Sequence, residues 1–189
     1  MILMTRLFRA FLKIDLSILN YIQAHMTNPI LDKVMPIITR LGSGGIIWIC
    51  LSVSCMLTKK YRRAGVTVAI ALILSLIICN LTIKPIAARI RPFLIGAPPD
   101  KLMITPPSDF SFPSGHTTAS FAAAVSVWLC GGSALAYFAL AAAALIGFSR
   151  LYLYVHYPSD VIFGALLGTA IGIAAFSLTA LFFTKQLPL

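Results

Sequence analysis

Long apolar runs, separated by short polar segments, make up most of the chain. Five runs are candidate membrane spans, at about residues 45–58, 64–83, 117–130, 134–151 and 160–184. The first is short for a span and is expected to take extra length from the turn before it. We therefore expect an all-α protein, a polytopic membrane bundle of about five transmembrane helices in a single domain over residues 1–189.

The first 24 residues follow a different pattern, with polar side chains along one stripe of a helix. The stripe has spacings of 3, 4, 4 and 3 residues, through Arg6, Arg9, Lys13, Ser17 and Asn20. Because residues 5–24 carry four charges, we expect an amphipathic helix in the membrane interface, with a tilted first span as the alternative. A second short helix, capped by Asn28-Pro29, completes an interfacial region over residues 1–41.

Composition supports a membrane location and limits the classes of function. Hydrophobic residues make up 59% of the chain and charged residues 11%, against roughly 25% charged in soluble domains. The net charge of +10 suits an anionic lipid surface. The basic residues are scattered between apolar runs rather than gathered in a stripe, which argues against a nucleic-acid partner. The four cysteines fall inside predicted spans and are expected as small core residues.

The basic turn at residues 59–63 predicts the orientation. It carries four positive charges between two spans and is expected on the cytoplasmic face, which places residues 84–116 and 150–160 on the opposite, extracytoplasmic face. The basic residues of the N-terminal region fall on that same opposite face and conflict with the rule. We give more weight to the short turn because spans flank it directly.

Residues 84–116 form the only long polar segment and contain seven prolines. A loop of this length in a compact domain usually has a function. It begins with Lys84 and Arg91-Pro92, where the seven-residue spacing would place both cations on one face of a helix that Pro92 ends. Two such cations could simply reach lipid headgroups. Arg89 lies off that face and is assigned no role.

The same loop ends in Phe112-Pro113-Ser114-Gly115-His116, just before an apolar run. The N–H groups of Ser114 and Gly115 would lie at a helix N-terminus, where unpaired donors favour an anion. His116 can give or take a proton near neutral pH. Alone, the motif would be read as a simple helix-capping turn.

A third cluster comprises Ser149-Arg150, His156 and Asp160. Arg150 supplies a planar guanidinium suited to phosphate. Asp160, in the first turn of the last span, could accept a hydrogen bond from one ring nitrogen of His156, leaving the lone pair of the other nitrogen free to attack. Ionisable residues at a membrane boundary are candidates for function.

Together these motifs resemble the type-2 phosphatidic acid phosphatase (lipid phosphate phosphatase) superfamily. Its signature K-x6-R-P, P-S-G-H and S-R-x5-H-x3-D is present in order and without departure over residues 84–160. The resemblance implies a metal-independent phosphatase that forms a phosphohistidine. It assigns His156 as the nucleophile, Asp160 as its orienting partner and His116 as the acid for the leaving oxygen. The groups implied to hold phosphate are Lys84, Arg91, Arg150, Ser114 and Gly115.

No metal or other cofactor is expected. The chain has only five acidic residues and no Glu, too few for the carboxylate ligands of a two-metal phosphatase. Three cations and two histidines instead supply the charge and the nucleophile that phosphoryl transfer requires.

The expected partner is the membrane and an anionic lipid phosphate in it. By analogy with small bacterial members of the family we expect undecaprenyl diphosphate, with phosphatidylglycerophosphate and phosphatidic acid as alternatives. A lipid or anion transporter that only binds phosphate is the alternative from another class, but it would not need the His156–Asp160 spacing. Haloperoxidases share the phosphate pocket but are soluble.

Overall fold

The computed structural model describes the backbone of residues 2–96, 98, 102–131 and 134–184, and side chains from 11 to 181 within those ranges. All regular structure in the described part of the chain is helical, as predicted. The α-helices are Ile2–His25 (α1), Pro29–Gly42 (α2), Ile46–Met56 (α3), Arg62–Ser75 (α4), Lys84–Ala87 (α5), Pro92–Ile95 (α6), Gly115–Leu129 (α7), Ala134–Tyr152 (α8) and Pro158–Thr184 (α9).

The five predicted spans correspond to α3, α4 with its extension, α7, α8 and α9. Among the described residues, four stretches are long and apolar enough to cross a membrane, and α7 is not one of them: Pro29–Met56, Arg62–Ile95, Ala134–Tyr152 and Pro158–Leu181. The first joins α2 to α3 through a short 3₁₀ turn, Ser43–Gly45. Residues 29–41, predicted to lie in the interface, are therefore the first half of a candidate span.

The predicted start of α2 is confirmed in detail. The side chain of Asn28 accepts hydrogen bonds from the N–H groups of Ile30 and Leu31, and Pro29 is the first helical residue. This cap satisfies two of the donors that a helix N-terminus leaves unpaired. It fixes where α2 starts, and so which of its side chains face the site described below.

Helix α7 is central to the packing because it is lined with small, fully buried residues, among them Ala122, Ala123 and Ala124. Helix α9 approaches it closely along three glycines spaced four residues apart, Gly164, Gly168 and Gly172. A Cβ atom on Gly168 would lie 2.3 Å from the Thr118 carbonyl oxygen of α7. Small residues at this spacing let helix backbones touch. The contact holds the first turns of α7 and α9 side by side.

The helix that follows Arg62 changes character before it reaches the polar loop. After Ser75 it becomes π-helical over Leu76–Ile83, and α5 begins at Lys84. Such π segments are rare and frequently occur at functional sites. Here the π-helical segment directly precedes Lys84, so it determines the direction around the helix axis in which the Lys84 side chain extends.

Candidate active site

One cavity of about 430 Å³ collects side chains from all three sequence motifs. Its lining includes Lys84, Arg91, His116, Arg150 and His156. The structure therefore brings together the three cations and two histidines that the sequence singled out over a span of more than seventy residues. Such a cavity is suited to a small, multiply charged anion.

Lys84 and Arg91 converge, but not by the predicted helical route. Helix α5 ends at Ala88, which adopts the left-handed region with φ 44°, and Arg91 is the N-terminal cap of α6. The prediction of one helix through both cations, ended by Pro92, is wrong. The two side chains meet because both bind the carboxylate of Asp109.

Asp109 is a site residue that the sequence analysis missed. Its Oδ1 accepts a hydrogen bond from Arg91 Nη2 at 2.6 Å, and its Oδ2 accepts one from Lys84 Nζ at 2.5 Å. Partial burial works to raise its pKa, but the hydrogen bonds and charges of Lys84 and Arg91 lower that pKa to about 2. The carboxylate is therefore ionised near neutral pH, and it forms ion pairs with two of the cations, Lys84 and Arg91.

We expect Asp109→Asn to tighten binding of orthovanadate, an anion with the shape of phosphate. Without the carboxylate, Lys84 and Arg91 are free to bind the incoming anion, and the inhibition constant should fall about tenfold, equivalent to ~1.4 kcal/mol. The measurement is the orthovanadate inhibition constant for phosphate release. The control is Ser108→Ala, the adjacent exposed residue in the same cavity lining. Unchanged or weaker inhibition in Asp109→Asn would show that Asp109 only clamps the loop.

Arg150 is buried on the opposite wall and is held by α2. Its Nη1 donates to Thr39 Oγ1 at 2.5 Å, whereas its buried Nε has no hydrogen-bond partner in the described part of the chain. A buried unpaired donor is costly unless a ligand satisfies it. Ser43, one turn after Thr39, lies with its Oγ 3.2 Å from His116 Nε2. Thr39 on α2 and Ser43 at the start of the 3₁₀ turn that follows it were not recognised in the sequence.

His156 lies in the loop between α8 and α9 and is almost fully buried. Its Nε2 is 3.2 Å from Arg91 Nη1, and its Nδ1 is 3.4 Å from Asp160 Oδ2. The second distance is that of an ion pair but not of a formed hydrogen bond, and Nδ1 has no other partner among the described residues. Burial and the positive charges of Arg91 and Arg150 hold the pKa of His156 well below its usual range. The ring is therefore neutral, as a nucleophile must be.

His116 is the second residue of α7, just before the predicted span. Burial and the positive charge of Arg150 lower its pKa to about 3. A bound phosphate dianion would offset those positive charges and so favour the protonated ring. Its position beside the cations makes its protonation state depend on the occupant of the cavity.

Ser114 and Gly115, which were predicted to hold phosphate, lie beside His116 but are not among the residues that line this cavity. Ser114 is the fully buried N-cap of α7, with its Oγ 2.8 Å from Thr117 Oγ1, and its N–H donates to the Asp160 carbonyl oxygen. Its N–H is therefore not the unpaired donor that the sequence analysis expected. Gly115 is the first residue of α7, where N–H groups lack helical acceptors.

Arg89, to which the sequence analysis assigned no role, is partly buried and forms two ion pairs. Its guanidinium contacts Asp160 Oδ1 at 2.6 Å and Asp15 Oδ2 at 2.7 Å. The break at Ala88 turns the chain so that Arg89 points behind Asp160, which a continuous helix would not allow. One signal was available in the sequence: Asp15 stands on the apolar side of α1, in line with Leu12, Leu19 and Ile22, and an acid there needs a partner.

Comparison with known proteins places this geometry in a family. A profile of the PAP2 superfamily matches residues 64–183. The chain is 32% identical over 123 residues to an undecaprenyl-diphosphatase of Sulfolobus acidocaldarius, covering 65% of this chain and 59% of that protein. It is 30% identical over 156 residues to the undecaprenyl-diphosphatase BcrC of Bacillus subtilis, covering 79% of this chain and 75% of that one.

A solved structure shares the fold over nearly its whole length. The crystal structure of Aquifex aeolicus LpxE superposes with a TM-score of 0.74 at 27% identity, covering 87% of this chain and 95% of that one. The shared fold therefore extends beyond residues 64–183, into the N-terminal helices.

Proposed function

Because the chain belongs to the PAP2 superfamily, we propose that it is an integral membrane phosphatase that hydrolyses a lipid phosphate or diphosphate through a phosphohistidine. The observation that carries the proposal is the cavity in which three cations surround the neutral His156 and His116. Cations at the equatorial oxygens and a nucleophile at one end are what phosphoryl transfer needs.

A second cavity supports a lipid as the substrate. It has a volume of about 670 Å³ and adjoins the cavity of about 430 Å³ described above. The two cavities share three lining residues, Lys84, Asp109 and His116. Most of its wall is apolar and comes from α3, α4 and the π-helical segment, including Ile49, Val53, Leu72, Ile73 and Leu76. A molecule with a charged head and a hydrocarbon tail fits this arrangement better than a water-soluble phosphate does.

In the first half-reaction His156 Nε2 attacks phosphorus while the bond from phosphorus to the leaving oxygen breaks. Lys84, Arg91 and Arg150 hold the non-bridging oxygens, with Arg150 Nε gaining the partner it lacks. His116 gives its proton to the leaving oxygen. Asp160, close to His156 Nδ1, favours the tautomer that leaves Nε2 unprotonated and stabilises the positive charge that develops on the ring.

In the second half-reaction water attacks the phosphohistidine. His116, now neutral, takes a proton from that water as the oxygen–phosphorus bond forms and the phosphorus–nitrogen bond breaks. Inorganic phosphate then leaves, and Asp109 can bind Lys84 and Arg91 again. Every group in this cycle comes from the chain itself.

For the substrate we propose undecaprenyl diphosphate, since two curated relatives carry that activity in their names. We also propose a bacterial plasma membrane with the active site on the extracytoplasmic face. The support is the basic turn at residues 59–63, which joins α3 to α4 on the side away from the 84–116 loop.

The test is an assay of the purified protein with undecaprenyl diphosphate, phosphatidylglycerophosphate and phosphatidic acid, with and without EDTA. We expect phosphate release to be fastest from undecaprenyl diphosphate and unchanged by EDTA, because Asp109 and Asp160 are occupied by Lys84, Arg91 and Arg89. A faster rate with another lipid would show that undecaprenyl diphosphate is not the preferred substrate. Activity lost on chelation and restored by magnesium or zinc would overturn the mechanism. Binding without release would indicate a transporter.

A further inference from the structure

Arg89 joins the nucleophile's partner to the N-terminal helix. Its Nη1 donates to Asp160 Oδ1 at 2.6 Å and to Ser159 Oγ at 2.7 Å, and its Nη2 donates to Asp15 Oδ2 at 2.7 Å. Its Cζ lies 3.9 Å from the centroid of the Tyr157 ring. These contacts hold the guanidinium on the side of Asp160 away from His156.

Among residues 11–25 of α1, the part whose side chains the structure describes, only Asp15 is both charged and buried, with 6% of its side chain exposed. Its Oδ1 accepts from the Ser159 N–H at 2.9 Å and its Oδ2 accepts from Ser159 Oγ at 2.6 Å. It therefore binds both Arg89 and the first turn of α9, the turn that carries Asp160. A buried carboxylate with this many partners has one orientation.

The two oxygens of Asp160 have separate partners. Oδ2 accepts from Ser111 Oγ and from the Tyr157 N–H, and it is the oxygen that faces His156 Nδ1. Oδ1 contacts Arg89. Rotation of the carboxylate would break contacts on both sides, so Arg89 fixes which oxygen is offered to the histidine.

The charges lead to the same conclusion. Arg89 and Asp160 alone would be a neutral pair, and such a pair would do little to stabilise a positive charge on His156. Asp15 adds a second negative charge, so that the three together carry one net negative charge beside the imidazole ring. In a poorly solvated region that charge acts strongly on the ring.

We propose that Asp15 and Arg89 are positioning residues for catalysis, which orient Asp160 and maintain the net negative charge that stabilises His156 as its Nε2 bonds to phosphorus. The N-terminal helix α1, which lies outside residues 64–183, then completes the active site. This inference rests on the proposed function. The competing explanation is that the ion pairs only anchor α1 to the bundle.

The test compares Asp15→Asn, Arg89→Lys and Asp160→Asn with the double variant Asp15→Asn/Asp160→Asn. Asp15→Asn keeps the size of the side chain and its acceptor oxygen but removes the charge. We expect its kcat to fall about 10- to 100-fold with little change in KM, since the loss is in orientation and charge at the nucleophile. Arg89→Lys keeps the charge but loses the simultaneous contact with Asp160 and Asp15, and we expect its kcat to fall by a similar factor.

The double variant distinguishes the two explanations, that Asp15 positions Asp160 or that it only anchors α1 to the bundle. If Asp15 acts through Asp160, adding Asp15→Asn to Asp160→Asn should lower kcat by less than twofold further. If the ion pairs only anchor α1, the two losses should multiply, and the proposal is overturned. Full kcat in both Asp15→Asn and Arg89→Lys would overturn it as well.

The matched control is Asp32→Asn, which removes an N-terminal acid that binds Tyr152 Oη but not Asp160. Its kcat should stay within about twofold of the original. Elution of each variant as a single detergent-solubilised species shows that it is folded. Failure of the proposed function would appear as no turnover by the unmodified protein, whereas failure of this inference leaves that protein active.

Discussion

His156→Ala is expected to abolish release of phosphate from every substrate, with kcat falling by on the order of 10⁴-fold or more. The reason is that no other described side chain offers a neutral nitrogen beside Arg91, so the covalent intermediate cannot form. Two measurements check it: the initial rate of phosphate release, and trapping of ³²P on the protein after rapid quenching. The trapped bond should be labile in acid and stable in base, as a phosphoramidate is.

The matched control is His25→Ala. His25 is exposed at the end of α1, stacks on Tyr21 and does not line the catalytic cavity. It should keep full activity and full labelling. Residual labelling of His156→Ala at the level of the unmodified protein would contradict the assignment of the nucleophile.

The three cations and two histidines that line one cavity could be singled out from the sequence, but the geometry that joins them could not. The apolar runs predicted five helices, and most of their ends lie within two or three residues of the observed ends. A long hydrophobic run in lipid has few alternatives to a helix. The spacing from Lys84 to Arg91 led to a helix that the structure does not have. Ala88 in the left-handed region breaks that helix, and no glycine or proline at the position marks the break.

The supporting residues were harder to predict because their partners are distant in the chain. Asp15 binds Arg89, and Thr39 binds Arg150, across separations of 74 and 111 residues. No local pattern encodes such pairs. Two signals did exist: an acid on an apolar helix face, and two hydroxyls one turn apart, on α2 and in the 3₁₀ turn that follows it. They indicate that a partner is needed but not which one.

The close contact of α9 with α7 had a clearer signal. Gly164, Gly168 and Gly172 repeat every four residues inside an apolar run, a pattern typical of helices that touch along their backbones. This contact places the Asp160 carbonyl against the Ser114 N–H, and so it links the second and third motifs. A stripe of small residues can therefore be as informative as the charged motifs about where a site assembles.

The second large effect concerns His116. The loss of activity in His116→Ala should depend on the leaving group of the substrate, whereas the loss in His156→Ala should not. In the first half-reaction, His116→Ala removes the proton that is donated to the leaving oxygen. Its effect on the second half-reaction, where His116 acts as the base, is the same for every substrate. General acid catalysis of this kind contributes about 10²–10⁴-fold when the leaving group is a strong base. A p-nitrophenolate leaves without that proton, so the loss of activity of His116→Ala toward p-nitrophenyl phosphate should be small.

The measurement is the ratio of kcat/KM before and after each substitution, for p-nitrophenyl phosphate, a prenyl diphosphate and phosphatidic acid, because kcat/KM reports the steps up to formation of the phosphohistidine. For His116→Ala the ratio should be largest for phosphatidic acid, because a lipid alkoxide is a far stronger base than either p-nitrophenolate or the prenyl monophosphate that leaves from a prenyl diphosphate. For His156→Ala it should be large and flat. Equal, flat ratios for both variants would leave the acid unidentified. A ratio that falls only for His156→Ala with p-nitrophenyl phosphate would reverse the two roles, since the residue whose loss a good leaving group rescues is the acid and not the nucleophile.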